Sequence, residues 1–292
     1  MNYSFYHSKY NYINVINKYN LPIPSQININ IHGLGSSFQF NYQNNNYQNN
    51  LYNYQQNLIN NNILDLYLEL PSHGKSSSSI KCYFDSISDF IDVIHQLVLN
   101  LQFNHPNAFI NLIGNSFGAS LCIYYSIYYP NFINKVILIS PLIKIKDELI
   151  PNCFTKNLLI LLSKCYPTLP LISVNSNFNQ LVYPNKDYLL QKQNDYYDYN
   201  YNHRLITGIN LLNLTKYIQK YQFFFDKTIL IIHNINDPIN DIENTLDFYF
   251  NIFSYYKFII TPKENHHSPL YSQYYNHFDK IINLLLNKYH LI

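Results

Sequence analysis

The sequence predicts an α/β protein: a largely parallel sheet flanked by helices, with a cap insertion over one sheet edge. Three observations carry this. Short apolar runs alternate with stretches of helical spacing along most of the chain. One such run leads through Gly114-Asn115-Ser116-Phe117-Gly118 straight into a helical pattern. Residues 141–225 show no such alternation and read as inserted.

Residues 27–31 (ININI) alternate and end at His32-Gly33, a strand entering a tight loop. Residues 39–62 are rich in Asn, Gln and Tyr, yet Phe40, Tyr47, Leu51, Tyr54 and Leu58 recur at helical steps. They predict a polar-faced helix. A second strand, 63–70 (ILDLYLEL), stops at Pro71. Over 85–101 the apolar residues at 87, 90, 91, 94, 97 and 98 have helical spacing. Residues 108–113 form a short buried strand, 117–129 a helix stopped by Pro130, and 135–140 (KVILIS) another strand. Strands follow at 228–232 (TILII) and 257–260 (KFII), and a helix at 277–288 closes the chain.

The middle has five prolines, a Tyr/Asn/Asp-rich stretch near 194–202, and helix-like pieces at 156–164 and 205–222. The expected division is a core over 1–140 and 226–292, interrupted by a cap over 141–225.

A chain of 292 residues, 47% of them hydrophobic, can bury a sizeable core as one large domain or a domain with an insertion. A net charge of +2 without a basic tract gives nucleic acid no electrostatic footprint. The many Asn and Tyr read as compositional bias, not as a binding surface. Cys82, Cys122, Cys153 and Cys165 form no C-x-x-C pair and no zinc-finger spacing, which suits free thiols in a reducing compartment. No apolar h-region opens the chain, and no run approaches the roughly 20 apolar residues of a membrane span. The expected location is cytoplasmic, with peripheral membrane contact through the cap and the oligomeric state left open.

Glycine is scarce, at six residues. Gly33 and Gly35 lie in HGLG, Gly74 in SHGKS, and Gly114 and Gly118 frame Ser116. In so glycine-poor a chain these five should mark positive φ or close backbone approach.

Ser116 sits between strand and helix with a glycine two residues to either side. A nucleophile on such a sharp turn is strained and needs small neighbours. The helix behind it offers free N–H groups to an oxyanion. Phe117 N–H is the first expected oxyanion donor, and Leu34 N–H, between Gly33 and Gly35, the second. A serine needs a base, and the base an acid, in the order Ser, acid, His. Asp237 follows TILIIH in Asn236-Asp237-Pro238, with Asp241 as the reserve acid. His267 follows KFII in the loop before the last helix, with His266 as the competing base. His32, His73 and Gly74 are expected to brace loops. His203-Arg204 should bond cap to core, with head-group contact as the alternative. Leu158–Leu162 (LLILL) reads as cap packing, the alternatives being a membrane face or an acyl tunnel.

Taken together, these residues resemble the α/β-hydrolase fold family over nearly the whole chain. Within it the chain is most similar to monoacylglycerol lipases and related lysophospholipases or serine esterases. HGLGSS resembles their oxyanion loop, LELPSHGKS their D-x-P-G-H-G-x-S segment, and GNSFGASLCIYYSIYYPNFINKVILISPLI their elbow, helix and next strand. NDYYDYNYNHRLITGINLLN resembles their cap segment. His267-Ser268-Pro269 matches their H-S-P, which puts the base at His267. Departures are Asn115 for a usual His, Ala119 for a common Gly, Ser72 for the Gly of PGHG, and Glu69 for an Asp. Asn at position 115 also occurs in relatives that cleave carbon–carbon bonds.

The resemblance implies a serine hydrolase cleaving an acyl-lipid ester, of monoacylglycerol or lysophospholipid type, through an acyl-enzyme and without metal or organic cofactor. The alternatives are a short-chain esterase, thioesterase or carbon–carbon hydrolase. From another class, a catalytically silent binding module remains. The expected partner is a small-molecule ester or lipid substrate.

Overall fold

Eight strands form one sheet: β1 (Asn2–His7), β2 (Asn11–Asn17), β3 (Gln26–Ile31), β4 (Ile63–Leu68), β5 (Phe109–Asn115), β6 (Lys135–Ile139), β7 (Thr228–Ile232) and β8 (Lys257–Ile260). The computed structural model describes residues 2–17, 19–38, 56–76, 80–172, 182, 186–263, 281–282 and 286. The strand order is β1-β2-β4-β3-β5-β6-β7-β8. From β4 to β8 all neighbours are parallel, and β1 and β2 add an antiparallel hairpin at one edge.

That hairpin is not among the expected strands. It turns on Asn11, whose φ of 57° is one that Asn tolerates better than most residues. Its inward residues Ile13 and Val15 are fully buried.

The strand order reverses at β3. The chain steps outward to β4, then returns to place β5 on the other side of β3. Loops leaving β3 and β5 therefore part at a switch point, where a crevice opens in sheets of this kind. These loops carry HGLG and Ser116.

Six helices are described: α1 (Ile87–Asn104), α2 (Phe117–Tyr128), α3 (Cys153–Cys165), α4 (Lys186–Asn194), α5 (Leu205–Tyr221) and α6 (Ile242–Asn251). Ser86 starts α1 by accepting the Ser88 N–H. One stripe of α1, including Phe90, Val93, Ile94, Leu97 and Val98, is buried against the sheet. Phe90→Ala in this layer should cost about 3–5 kcal/mol. Residues 56–60 are helical, whereas most of the expected 39–62 helix lies outside the described residues. The same holds for the closing helix, of which 281, 282 and 286 are described as helical.

Core side chains alternate across the sheet. Ile27, Ile29, Ile31, Leu112, Val136, Leu138, Ile229 and Ile231 face α1 and α2. Ile63, Ile113, Ile137, Leu230 and Ile232 meet Leu58, Ile282 and Leu286 on the opposite face. That second face also buries a polar seam, in which Asn111 donates to Gln26 and Asn28, and Asn30 to Asp65.

Between β6 and β7, which are neighbours in the sheet, the chain makes α3, α4 and α5. Thr207 and Asn210 of α5 donate to the carbonyls of Cys82, Phe84 and Asp85, tying this excursion to the loop before α1. Among the described residues, no helix is long and apolar enough to cross a membrane.

Candidate active site

Ser116 ends β5 and begins α2 with φ 51° and ψ −112°. A non-glycine residue there costs on the order of 1–3 kcal/mol and persists only where its surroundings hold it. Backbone bonds supply the hold. Ser116 N–H donates to Ile139 C=O at 2.8 Å, and its own carbonyl accepts the Leu142 N–H at 3.3 Å. Ser120 Oγ bridges to the same loop through Leu142 C=O at 2.7 Å. Although Ser116 is the cap residue of α2, its side chain makes no capping bond. The hydroxyl is not spent on the helix.

The two framing glycines answer a steric demand. A Cβ on Gly114 would run into the backbone of Ala119. One on Gly118 would meet the backbone carbonyls of Ile31 and His32. The second contact packs the start of α2 directly against the end of β3. Phe117, fully buried, has its ring stacked on Phe84 at 5.7 Å and edge-on to Phe90 at 5.5 Å. Side-chain packing therefore fixes the first amide of the helix, an N–H with no partner inside the helix.

HGLG leaves β3 beside this elbow. A Cβ on Gly33 would lie 3.6 Å from that of Ser116, an ordinary contact without positive φ, so the expected demand for glycine is not met at Gly33. Gly35 does have positive φ, 71°. Leu34, half-buried, sits in the turn between them. His32 sets the loop's start. Its Nε2 accepts the Leu70 N–H at 3.1 Å, so the ring proton is on Nδ1 and is donated to Gly33 C=O at 2.7 Å.

A second bracing group stands behind the loop. Glu69, buried after β4, accepts from Asn14 Nδ2, Lys75 N–H and Phe38 N–H. It occupies the position of the family's usual Asp and ties three segments together. Ser72, where a Gly is usual, adopts φ 62° and donates from Oγ to Tyr83 C=O at 2.7 Å. His73 donates from Nδ1 to Pro71 C=O at 2.8 Å.

The excursion between β6 and β7 bonds to the same loop. Tyr199 N–H donates to Gly35 C=O at 2.8 Å. His203 Nδ1 lies 3.5 Å from Cys82 Sγ, in the loop before α1, while Arg204 donates to Thr168 C=O within the excursion. Lys192 and Asp198 form a buried ion pair at 3.0 Å. Burial lowers His32 to about 4 and His203 to about 4. Burial, with His32 nearby, lowers His73 to about 3. These imidazoles are neutral at pH 7. Burial also pushes Asp198 up to about 6 and the Cys82 thiol up to about 12, so this thiol is no ready nucleophile.

Asp237 is fully buried in a turn after β7. Its Oδ1 accepts the N–H groups of Ile239 at 2.7 Å and Asn240 at 3.0 Å. Its Oδ2 lies 3.0 Å from His233 Nε2. Asn240 then donates to Ser140 C=O at 2.8 Å, joining the Asp237 turn to the strand end that holds Ser116. Asp241 is the cap of α6, accepting the Glu243 N–H at 3.1 Å. Both His267 and His266 lie outside the described residues.

His233 is not among the expected site residues, although it stands four residues before Asp237 in a post-strand loop. Among the described residues, no group of three or more His, Cys, Asp or Glu could hold a metal ion.

The fold agrees with the comparisons. Among solved structures, a monoacylglycerol lipase from Paleococcus ferrophilus superposes with a TM-score of 0.77 at 18% identity, over 94% of this chain and 99% of that one. A soluble variant of monoglyceride lipase from Saccharomyces cerevisiae, bound to a substrate analogue, gives 0.75 at 16% identity, over 98% and 95%. A carboxyl esterase from Bacillus coagulans gives 0.74 at 12%, over 98% and 97%. No curated protein sequence matches. The serine aminopeptidase S33 family model matches residues 49–272, and the chain belongs to that family of α/β-hydrolase-fold serine hydrolases.

Proposed function

We propose that the protein cleaves carboxylic esters of acyl lipids, of monoacylglycerol or lysophospholipid type. Ser116 is the nucleophile, His267 the base and Asp237 the acid that orients it. The observation that carries the reading is Ser116 itself: φ 51° at a strand-to-helix turn, no capping bond from its hydroxyl, and the HGLG loop packed beside it. Ser116 Oγ attacks the ester carbonyl while His267 takes its proton. The N–H groups of Leu34 and Phe117 receive the oxyanion, which is held where charge develops and not in the ground state. His267 returns the proton to the leaving alcohol, and an acyl-enzyme remains. Water activated by His267 then releases the acid.

The chain between β6 and β7 serves as the cap, residues 141–225, on the core formed by 1–140 and 226–292. Three of its side chains, Phe154, Leu158 and Leu161, are 82%, 47% and 62% exposed on one face of α3. Such a face, with Lys156 and Lys164 on the same helix, suits a lipid surface. Among the apolar residues of α3 none is buried, which favours the membrane alternative over plain packing of LLILL. Four free thiols suit a cytoplasmic setting.

The test is labelling by a fluorophosphonate probe, wild type beside Ser116→Ala. Labelling lost in the variant supports an activated Ser116. A folded wild type that takes no label, even from a small phosphonate, would point to the silent module. Rates on long-chain monoacylglycerols against short soluble esters then decide between lipase and short-chain esterase.

A further inference from the structure

We infer that His233, backed by Thr245, is a positioning residue that acts through the proposed acid, Asp237. The inference rests on the assignment of Asp237 above.

The carboxylate contact defines one hydrogen. A carboxylate can only accept, so the 3.0 Å contact requires a proton on His233 Nε2, donated to Asp237 Oδ2. The other ring nitrogen, Nδ1, lies 2.9 Å from Thr245 Oγ1. Thr245 Oγ1 also donates to the Asp241 C=O at 3.4 Å, so it joins the ring to the start of α6. All three side chains are fully buried. The His233 backbone is fixed as well, its N–H donating to Ile260 C=O at 3.0 Å on the neighbouring strand.

Among the described residues, Asp237 takes donors of two kinds. The Ile239 and Asn240 amides hold Oδ1 and belong to the turn itself. His233 supplies the side-chain donor on Oδ2. A carboxylate pinned at one oxygen alone can still rotate about its Cβ–Cγ bond. The His233 bond fixes that rotation and compensates buried negative charge. Both effects matter to an acid whose task is to keep a second imidazole in one tautomer and one orientation. Thr245 holds the far side of the His233 ring in the way that outer partners orient a ligating histidine.

The test is a double-mutant cycle on the full chain, with a short p-nitrophenyl ester as substrate and thermal melting of every variant. His233→Leu removes the donor. His233→Asn is the second removal, polar yet too short to reach Asp237, and His233→Gln keeps an N–H at comparable reach. The expected result is a kcat loss of about 10- to 100-fold in His233→Leu and His233→Asn with KM nearly unchanged, and recovery to within a few-fold in His233→Gln. With Asp237→Ala, which alone should cost about 10,000-fold, adding His233→Leu should change kcat less than about twofold.

A full kcat in His233→Asn beside a crippled Asp237→Ala would overturn the role of His233 and leave the acid standing. Equal losses in both backgrounds would make His233 merely structural and overturn the proposal. A fully active Asp237→Ala would overturn the acid assignment and this inference with it.

Discussion

Two buried carboxylates leave the same edge of the sheet, and they are held in opposite ways. Glu69, after β4, is a long-range fastener. Its donors are Asn14 in the hairpin, Phe38 at the far end of the HGLG segment, and Lys75 in the following loop. Among the described residues, the donors to Asp237, after β7, lie two, three and four positions away. A carboxylate that cross-links distant segments serves the fold. One held by donors of its own turn is presented by the fold. Burial is the same in both, so burial alone does not mark a catalytic acid.

Conservative amide substitutions should separate the two. Asp237→Asn keeps the side-chain volume and an oxygen for the two amides, but its NH2 opposes His233 and reverses the polarity offered to the base. Its kcat should fall about 10,000-fold with the melting temperature shifted by only a few degrees. Glu69→Gln turns one acceptor into a donor against buried N–H groups. It should cost about 2–3 kcal/mol in urea melts while kcat per folded molecule stays within a few-fold. Active-site titration with the phosphonate supplies the folded fraction. If the effects were exchanged, with Glu69→Gln inactive yet stable, the distinction between fastener and presented acid would be wrong.

The glycine that joins these regions can be tested directly. Gly118→Ala drives a methyl into the carbonyls of Ile31 and His32, which are backbone and can yield only by moving the strand end. A loss of about 1–3 kcal/mol is expected, together with slower labelling of Ser116, because the same shift displaces the oxyanion loop. Gly33→Ala meets only ordinary contacts and should be milder in both readings.

Acid should also weaken the Glu69 side first. His32, His73 and His203 have folded pKa values of about 4, about 3 and about 4, all lowered chiefly by burial. The unfolded chain binds these protons at its ordinary value near 6.5, so their contribution is present above that pH and is lost as pH falls towards 4. Asp198, raised to about 6, runs the other way, since its folded form takes up a proton before the unfolded one. Three imidazoles against one carboxylate leave a net of about two protons, a slope of about 2.5 kcal/mol per pH unit between pH 6 and pH 5. Melts at pH 7 and pH 5 check it. Equal stability at both would mean that these rings are not held neutral.

The parallel strands were legible because TILII, KVILI and KFII are β-branched, apolar and short. The elbow was legible because only glycine fits on either side of Ser116 at Gly114 and Gly118. The hairpin was not, because its inward Ile13 and Val15 are embedded among the Asn and Tyr that fill the whole chain. In ININI the alternation suggests one wet face, yet Asn28 and Asn30 are buried, joined to Asn111 and Asp65 on neighbouring strands. No local pattern announces such a seam. Glu69 was visible as a departure from an Asp, but its role depends on Asn14, far off in the hairpin. His233 needed only its spacing to Asp237.

The smallest effect expected is one to which neither carboxylate contributes. Phe154 and Leu161 lie on the open face of α3, far enough from burial that replacing both with Ser should change stability by no more than about 0.5 kcal/mol per site. Turnover of a short soluble ester should be unaltered, since the elbow, the HGLG loop and the acid turn make no use of either side chain. On a dispersed long-chain monoacylglycerol the rate should drop several-fold, because substrate reaches the site from an aggregate that this face would meet first. Ratios of the two rates, wild type against Phe154→Ser/Leu161→Ser, isolate the surface step from the chemistry. An unchanged ratio would leave α3 without a role at a lipid surface.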